Sequence, residues 1–358
     1  MKKALLSILG IIIFLLGAGY LFLHITYATR DNLSHTGRNM TGFYAENDNT
    51  VDVVIIGTSS TFSAYAPMLL WEEYGITSYD LCTNMMFEDA MQFAIYECMK
   101  TQSPEVMVID LASFLFGCTA ESFEGNDKVI RYNTDGYKNS INRKHLIDTI
   151  VQDENERWQY YFDLMYYHKH GEIKLENWNY SRSNPNKGYN CLVYVYPEGD
   201  TTMLRERDSD YRLPDNEIEL LNELIKTADE AGCWVIYTIP PYKDSEEDLE
   251  EHDRAGFIKK YLEDEGKTVL DLYEVKNQIG IDENTDYSSD YMHYHIFSAQ
   301  KITRYLGEYL KNKYSLEDHR GDGKYASWHD SLQEWHENQE DYEKRVQKLI
   351  DVGAYSEG

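Results

Sequence analysis

Asp290, His293 and His295 crowd into DYMHYHIFSAQK, residues 290–301, directly ahead of a helical pattern. Three roles suit these residue types at this spacing. A carboxylate three residues before an imidazole is the makeup of a general base and its orienting acid. All three side chains are also metal-ligand types, and an H-x-H on an extended segment sends both rings to one side. The remaining reading is a polar loop with no chemistry.

A second stretch far upstream, VDVVIIGTSSTFSAYAP at residues 51–67, bears on the choice. Its apolar run ends at Gly57 and a turn follows, which puts Ser59 at the rim of a sheet. In open α/β sheets, ligands bind beyond the carboxyl ends of the strands. A serine hydroxyl there is a weak nucleophile until a base removes its proton. The N–H groups of the turn, beginning with that of Ser59, are suited to an oxyanion. Alone, G-x-S after a strand is most often an ordinary turn. The 290–301 block follows the last expected strand and precedes the last expected core helix, so it returns the chain to the same edge. If that edge lies beside the first strand, His293 serves as base to Ser59, and Asp290 accepts a hydrogen bond from the other ring nitrogen. The metal reading lacks a further His- or Asp-rich cluster to complete a ligand set.

These side chains need a scaffold, and the chain supplies its pattern. VDVVIIG (51–57), EVMVIDL (105–111), CWVIYTI (233–239) and TVLDLY (268–273) are β-branched apolar runs too short for helices, with SYDL (78–81) a shorter candidate. Such runs are buried strands. Between them, Ile218, Leu221, Leu224, Ile225 and Ala228 share one helical face. Phe257, Ile258, Tyr261 and Leu262 share another, and Ala299, Ile302, Tyr305, Leu306, Tyr309 and Leu310 a third. Alternating strands and helices predict a mostly parallel sheet covered on both faces. Residues from about 118 to 213 break the rhythm and read as an insertion with its own helices and a hairpin. From Asp318 onward, Trp328, Leu332, Trp335, Tyr342, Val346 and Leu349 predict a C-terminal helix that packs back on the domain.

The 62 acidic against 34 basic residues, a net charge of -28, argue against nucleic acid as a partner, because phosphate binding needs clustered Lys and Arg. Five unpatterned cysteines make neither a disulfide framework nor a thiolate zinc site. Lys2 and Lys3 precede a run that is uncharged from Ala4 to Leu23, and about 20 apolar residues span a bilayer. A cleaved signal peptide is the alternative, but no clear A-x-A site ends the run, so it reads as an uncleaved anchor with its lysines in the cytoplasm and the main domain outside the cell. The expected organisation is a transmembrane anchor at 1–29, a polar stalk at 30–50, an α/β domain at 51–325, and a C-terminal helix and tail at 326–358. Tyrosine is abundant, with 31 residues. Stretches such as QYYFDLMYY and YNCLVYVY either line a sugar-binding cleft or, more simply, sit half-buried on strands and helix faces. Arg131 and Asp135 read as a local structural pair.

The two ends of the domain resemble the SGNH/GDSL hydrolase superfamily, in the membrane-anchored extracytoplasmic form of Gram-positive envelope-modification systems. The likeness rests on IIGTSSTFSAYAPMLLWEEYGITSYDL, where such proteins often carry G-S-S-H. It rests equally on DENTDYSSDYMHYHIFSAQKITRYLGEYL, where they carry D-x-x-H ahead of a helix. The resemblance implies a three-layer α/β/α sandwich of flavodoxin-like type, Ser59 as nucleophile, Asp290 and His293 completing a triad, and no cofactor or metal. It implies a serine esterase or acyltransferase working on O-acyl or D-alanyl esters of cell-wall or secreted polysaccharide or teichoic acid, with a membrane acyltransferase as partner. The family's oxyanion hole adds a glycine after the second strand and an asparagine. Here Cys82 stands at the expected glycine, Asn84 is the nearest amide, Ser60 replaces a frequent histidine, and His295 a frequent asparagine. These departures keep a second function open: a non-catalytic envelope scaffold or glycan-binding protein. A metallohydrolase at Asp290, His293 and His295 is a third.

Overall fold

The apolar runs form five strands in the computed structural model, which describes residues 2–30, 35–168, 173–196, 204–245 and 249–356. Residues 31–34 of the expected stalk, 169–172 and 197–203 of the expected insertion, 246–248, and both chain ends lie outside the described residues. The strands are β1 (Val53–Gly57), β2 (Ser78–Cys82), β3 (Val106–Asp110), β4 (Trp234–Ile239) and β5 (Thr268–Asp271). All pair in parallel in the order β2-β1-β3-β4-β5. The chain leaves β1 for one side of the sheet and then returns to the other. A crevice therefore opens where the order reverses, at the carboxyl end of β1.

Side chains alternate across a strand, so each strand serves two cores. Val53, Ile55, Val106, Val108, Ile236 and Leu270 join Leu70, Ile302, Leu306 and Leu310 on one face. Val54, Ile56, Met107, Ile109, Tyr237 and Ile239 join Ala94, Leu221, Leu224 and Ile258 on the other. Helices Ser59–Ala64, Pro67–Tyr74 and Ile296–Lys313 form the first outer layer; Met91–Cys98, Asp215–Glu230 and Leu249–Asp264 form the second. The predicted three-layer α/β fold is observed.

The helix Ile296–Lys313 does the work of return. It starts after the edge strand β5 and crosses back to pack on Ser59–Ala64 and Pro67–Tyr74. Thr303 Oγ1 accepts the Ala66 N–H at 2.9 Å. At Gly307 the helix meets the Tyr74 ring so closely that a Cβ would stand 2.4 Å from it. The C-terminal helix Ala326–Val352 also packs back, burying Trp328, Trp335, Val346 and Leu349. Trp328 lies against Trp71, and Trp335 against Tyr189.

Two expectations need correcting, and a third, the Arg131–Asp135 pair, is observed but widens. The described part of the 30–50 stretch is no stalk. Helix His35–Phe43 covers β2, with Tyr79 Oη donating to Asn39 O at 2.8 Å and Phe43 stacked edge-on against Tyr79. An edge strand exposes unpaired backbone groups, and this segment and Lys187 O, which takes the Asp80 N–H at 3.0 Å, cover them. The insertion is helical at Asp127–Thr134 and Ile141–Ile150, but its described residues form no hairpin. Tyr194 instead bridges to Ser356. Finally, Arg131 and Asp135 belong to a larger network. Arg30 Nε donates to Asp163 Oδ2 at 2.6 Å, Arg143 Nη2 to Asp163 Oδ1 at 2.8 Å, and Arg131 Nη1 to Asp135 Oδ2 at 3.2 Å. Arg30 follows the N-terminal helix Lys2–Thr29, which is long and apolar enough to cross a membrane; its most apolar 18-residue stretch has a mean hydropathy of 2.5.

The tyrosines mostly follow the simpler reading. Tyr160, Tyr167 and Tyr180 are buried, and their hydroxyls bond to Asp127, Asp135 and the Asp135 carbonyl.

Candidate active site

Gly57 ends β1, and the next residues turn at once into the helix Ser59–Ala64. The turn is tight because the Thr58 N–H donates to Thr61 Oγ1 at 3.0 Å. Thr61 thereby folds over Gly57, where a Cβ would fall 2.1 Å from its hydroxyl; only glycine fits. Ser59 is the first helical residue and is half-buried at the carboxyl edge.

The segment ahead of the return helix meets this turn. The Ser288 N–H closes a loop on His293 O at 2.8 Å, and the Tyr294 N–H reaches Ser63 Oγ at 3.3 Å. His293 is thereby held over the serine helix, with Nε2 at 2.8 Å from Ser59 Oγ. Its Nδ1 lies 2.7 Å from Asp290 Oδ2. Asp290 Oδ1 also accepts the N–H groups of Met292 at 2.8 Å and His293 at 2.9 Å. Burial pushes the Asp290 carboxyl up, but the His293 hydrogen bond and charge and the two N–H groups outweigh it and hold it below its ordinary value. An ionised carboxylate only accepts, so the contacts select the His293 tautomer with its proton on Nδ1. Nε2 is then a lone-pair acceptor for the Ser59 hydroxyl.

His295 does not converge with the other two. Its ring is fully buried at the start of the return helix, where Nε2 donates to Thr285 O at 2.5 Å and Nδ1 faces Ser298 Oγ at 3.4 Å. The H-x-H prediction assumed an extended segment. His295 is itself extended, as the cap of the helix that begins at Ile296, yet its ring turns into the domain toward Thr285 and Ser298 while the His293 ring meets Ser59. Burial lowers its pKa. The geometry opposes a three-ligand site at Asp290, His293 and His295.

The expected oxyanion residues separate. Cys82 ends β2 opposite Gly57, and its carbonyl takes Asn39 Nδ2 at 3.4 Å on the outer edge of the sheet. The N–H and C=O of one strand residue point to the same side, as Asp80 and its N–H bond to Lys187 O show. The Cys82 peptide therefore faces away from β1, and its backbone φ is not positive. The loop beyond it is the part that touches the serine turn. The Thr83 N–H donates to Gly57 O at 3.3 Å, and the Met86 N–H to Thr58 Oγ1 at 3.2 Å. Asn84 and Met85 lie between these two stitches, half-buried, and Met85 takes a left-handed conformation at φ 47°. That conformation favours glycine, so the glycine-like position is three residues past the strand end, at Met85.

Sequence reading missed the residue that holds this loop. Asn133, buried in the insertion, accepts the Phe87 N–H at 3.0 Å and donates to Met85 O at 3.0 Å. Thr83 Oγ1 adds a bond to Tyr132 O at 2.6 Å. No periodicity or spacing marks Asn133. Asp110 was also passed over; it ends β3 beneath the site and accepts from Thr238 Oγ1 at 3.0 Å and the Ala112 N–H at 3.1 Å. Burial moves its carboxyl up to about 6. At the surface near the site, Phe116 and Tyr291 lie edge to face, 6.0 Å apart.

No protein-family model matches the chain, and no curated protein matches it. Among solved structures, one similar chain is a protein from Bacteroides fragilis assigned as an acylhydrolase. It is 10% identical, covers 75% of this chain and 91% of its own, and has a TM-score of 0.37. Another is a gut microbial diltiazem-metabolizing enzyme, 13% identical over 74% of this chain and 48% of its own, at a TM-score of 0.24. Superpositions this loose leave the geometry of the site as the ground for function.

Proposed function

We propose that the chain is a serine ester hydrolase or acyltransferase that works outside the cell membrane on O-acyl or D-alanyl esters of envelope glycans. The observation that carries the reading is the unbroken line from Ser59 Oγ through His293 to Asp290, at 2.8 and 2.7 Å. As Ser59 Oγ bonds to the ester carbonyl carbon, its proton passes to His293 Nε2. Asp290 stabilises the imidazolium without taking its proton. The Ser59 N–H and the peptides at Asn84 and Met85 are the candidate donors to the carbonyl oxygen as it gains charge. The bond to the leaving alcohol breaks as Nε2 returns the proton to that oxygen, and the acyl group stays on Ser59. A water or a glycan hydroxyl then gives its proton to Nε2 and attacks the acyl carbon, and Oγ leaves with the proton restored. The class of the second acceptor separates hydrolase from transferase.

The glycan part of the proposal draws on the sequence resemblance and on the aromatic faces of Phe116 and Tyr291, which suit a sugar ring. A membrane acyl-transfer partner fits the N-terminal helix. A fluorophosphonate probe tests the core claim: wild-type protein labels, and Ser59→Ala loses labelling and esterase turnover by about 10⁴-fold or more with its fold intact. Well-folded wild type that resists the probe would return the chain to the scaffold reading.

A further inference from the structure

Large exposed apolar side chains gather in one part of the insertion. Ile141, Trp158, Phe162, Met165, Ile173 and Leu175 are each between 50% and 74% exposed. They surround the place where the N-terminal helix enters the domain. Lys174, between Ile173 and Leu175, donates its N–H to Ala28 O at 2.7 Å. Asp163, between Phe162 and the helix that carries Met165, binds Arg30. Asn139, two residues before Ile141, donates its N–H to Tyr27 Oη at 2.9 Å. Trp158, Phe162 and Met165 follow on two successive short helices, Arg157–Tyr161 and Leu164–Tyr167, with Phe162 at their junction: its N–H donates to Trp158 O at 3.0 Å and its carbonyl accepts the Met165 N–H at 2.8 Å. The His24 ring stacks on Trp178 with centroids 5.0 Å apart.

The N-terminal helix is exposed from its start to Phe22, and Thr26–Arg30 are buried in the domain. About 20 residues from Ala4 cover the hydrocarbon thickness of a bilayer. The buried last turn, and the apolar collar around it, then stand at headgroup level. Patches of this kind on a monomer mark an interaction surface, and aromatic residues concentrate at the membrane interface.

We infer that this collar seats the domain on the lipid surface, with Trp158, Phe162, Met165, Ile173 and Leu175 in the interfacial layer. The inference rests on the reading of Lys2–Thr29 as a membrane-crossing helix. The occupant is lipid because the patch is continuous with that helix. A net charge of -28 makes apolar contact, rather than attraction to anionic headgroups, the means of attachment. The collar joins the same insertion that holds the Thr83–Phe87 loop, so it sets the height of the site above the bilayer.

The test uses the full chain reconstituted in phosphatidylcholine vesicles with brominated acyl chains, comparing wild type with Trp158→Phe. The emission lost in the variant should be quenched at least twofold by bromolipid and shielded from aqueous acrylamide. Leu175→Trp supplies a second probe on the other flank and should behave in the same way. Emission quenched by acrylamide but not by bromolipid overturns the inference. Shielding from both also overturns it, because a protein would then cover the patch. Flotation after alkaline carbonate washing separates the two readings: a chain that fails to float refutes the membrane helix, whereas a floating chain with water-exposed Trp158 refutes only the collar.

Discussion

Two polar networks in this molecule use carboxylates in the same way and end differently. In the insertion, Arg30, Arg131 and Arg143 surround Asp135 and Asp163, and the Arg30–Asp163 pair is 1% and 0% exposed. Burial pushes Asp135 up, and the three arginines together hold it below its ordinary value. Remaining donors end on carbonyls, as Arg30 does on Tyr137 O at 2.6 Å and Arg143 on Thr134 O at 3.0 Å. At the sheet edge, Asp290 also gathers hydrogen bonds, but its side chain is 39% exposed and its line runs out through His293 to a hydroxyl at the surface. A closed network holds geometry. An open one that ends in a proton on oxygen has somewhere to send it.

Asp290→Asn should break the open network most sharply. An amide at Oδ2 no longer selects the Nδ1–H tautomer, and turnover should fall by up to about 10⁴-fold, read as kcat/KM on an activated ester. The depressed carboxyl also links to stability. Its contribution is present above the ordinary carboxylate range near pH 4 and disappears as pH falls through the lowered value. Thermal melts should therefore show wild type ahead of Asp290→Asn at neutral pH and the gap closing below about pH 4.

Arg30→Ala should break the closed network, leaving Asp163 buried with a charge short of partners, at about 3–5 kcal/mol in stability. The chemistry should barely register it: a fluorophosphonate labelling rate for the folded fraction within about threefold of wild type sharpens the contrast, and a loss as large as that of Asp290→Asn erases it. Asn133→Ala probes the seam between the regions. Releasing Met85 and Phe87 should lower kcat by about 10²-fold, the cost of a displaced donor, with KM held. Equal loss in binding would make Asn133 structural only.

The smallest effect on the chemistry is expected at Glu88, which neither network reaches. Among the described residues neither of its oxygens finds a hydrogen-bond donor, and Arg254 stays 3.9 Å away. Burial, with Glu217 adding, raises its carboxyl to about 9 from 4.5. A raised pKa means that its contribution is whole below about 4.5 and is lost as pH climbs toward 9. Glu88→Gln should therefore raise Tm at pH 8 and leave it unchanged near pH 4, by roughly 2–4 °C for each kcal/mol recovered.

The strands were legible because a strand buried on both faces must be apolar throughout, and VVIIG and VMVID say so locally. The helix stripes were legible for the matching reason at period 3.6. Ser59, Asp290 and His293 stood out because a small residue, a turn and a spacing of three are local signals. His295 misled because Thr285 and Ser298 hold its ring inside the domain, contacts that an H-x-H spacing does not announce. Cys82 misled because the ladder, and not the residue type, decides which edge a peptide faces. Asn133 was invisible because its partners lie 46 and 48 residues away.

By itself, the amino-acid order determined the five strands, three of their flanking helices, the apolar N-terminal segment and the chemical identities at residues 59, 290 and 293. Each of those follows from hydrophobic periodicity or near-neighbour geometry. Tertiary structure alone decided that the Ser59 hydroxyl meets an imidazole 234 residues later, that residues 35–43 cover β2, and that Arg30 locks into the insertion. The reason is that strand order and the path of the returning helix are set by how whole layers bury their faces together, a property no short window of the chain contains.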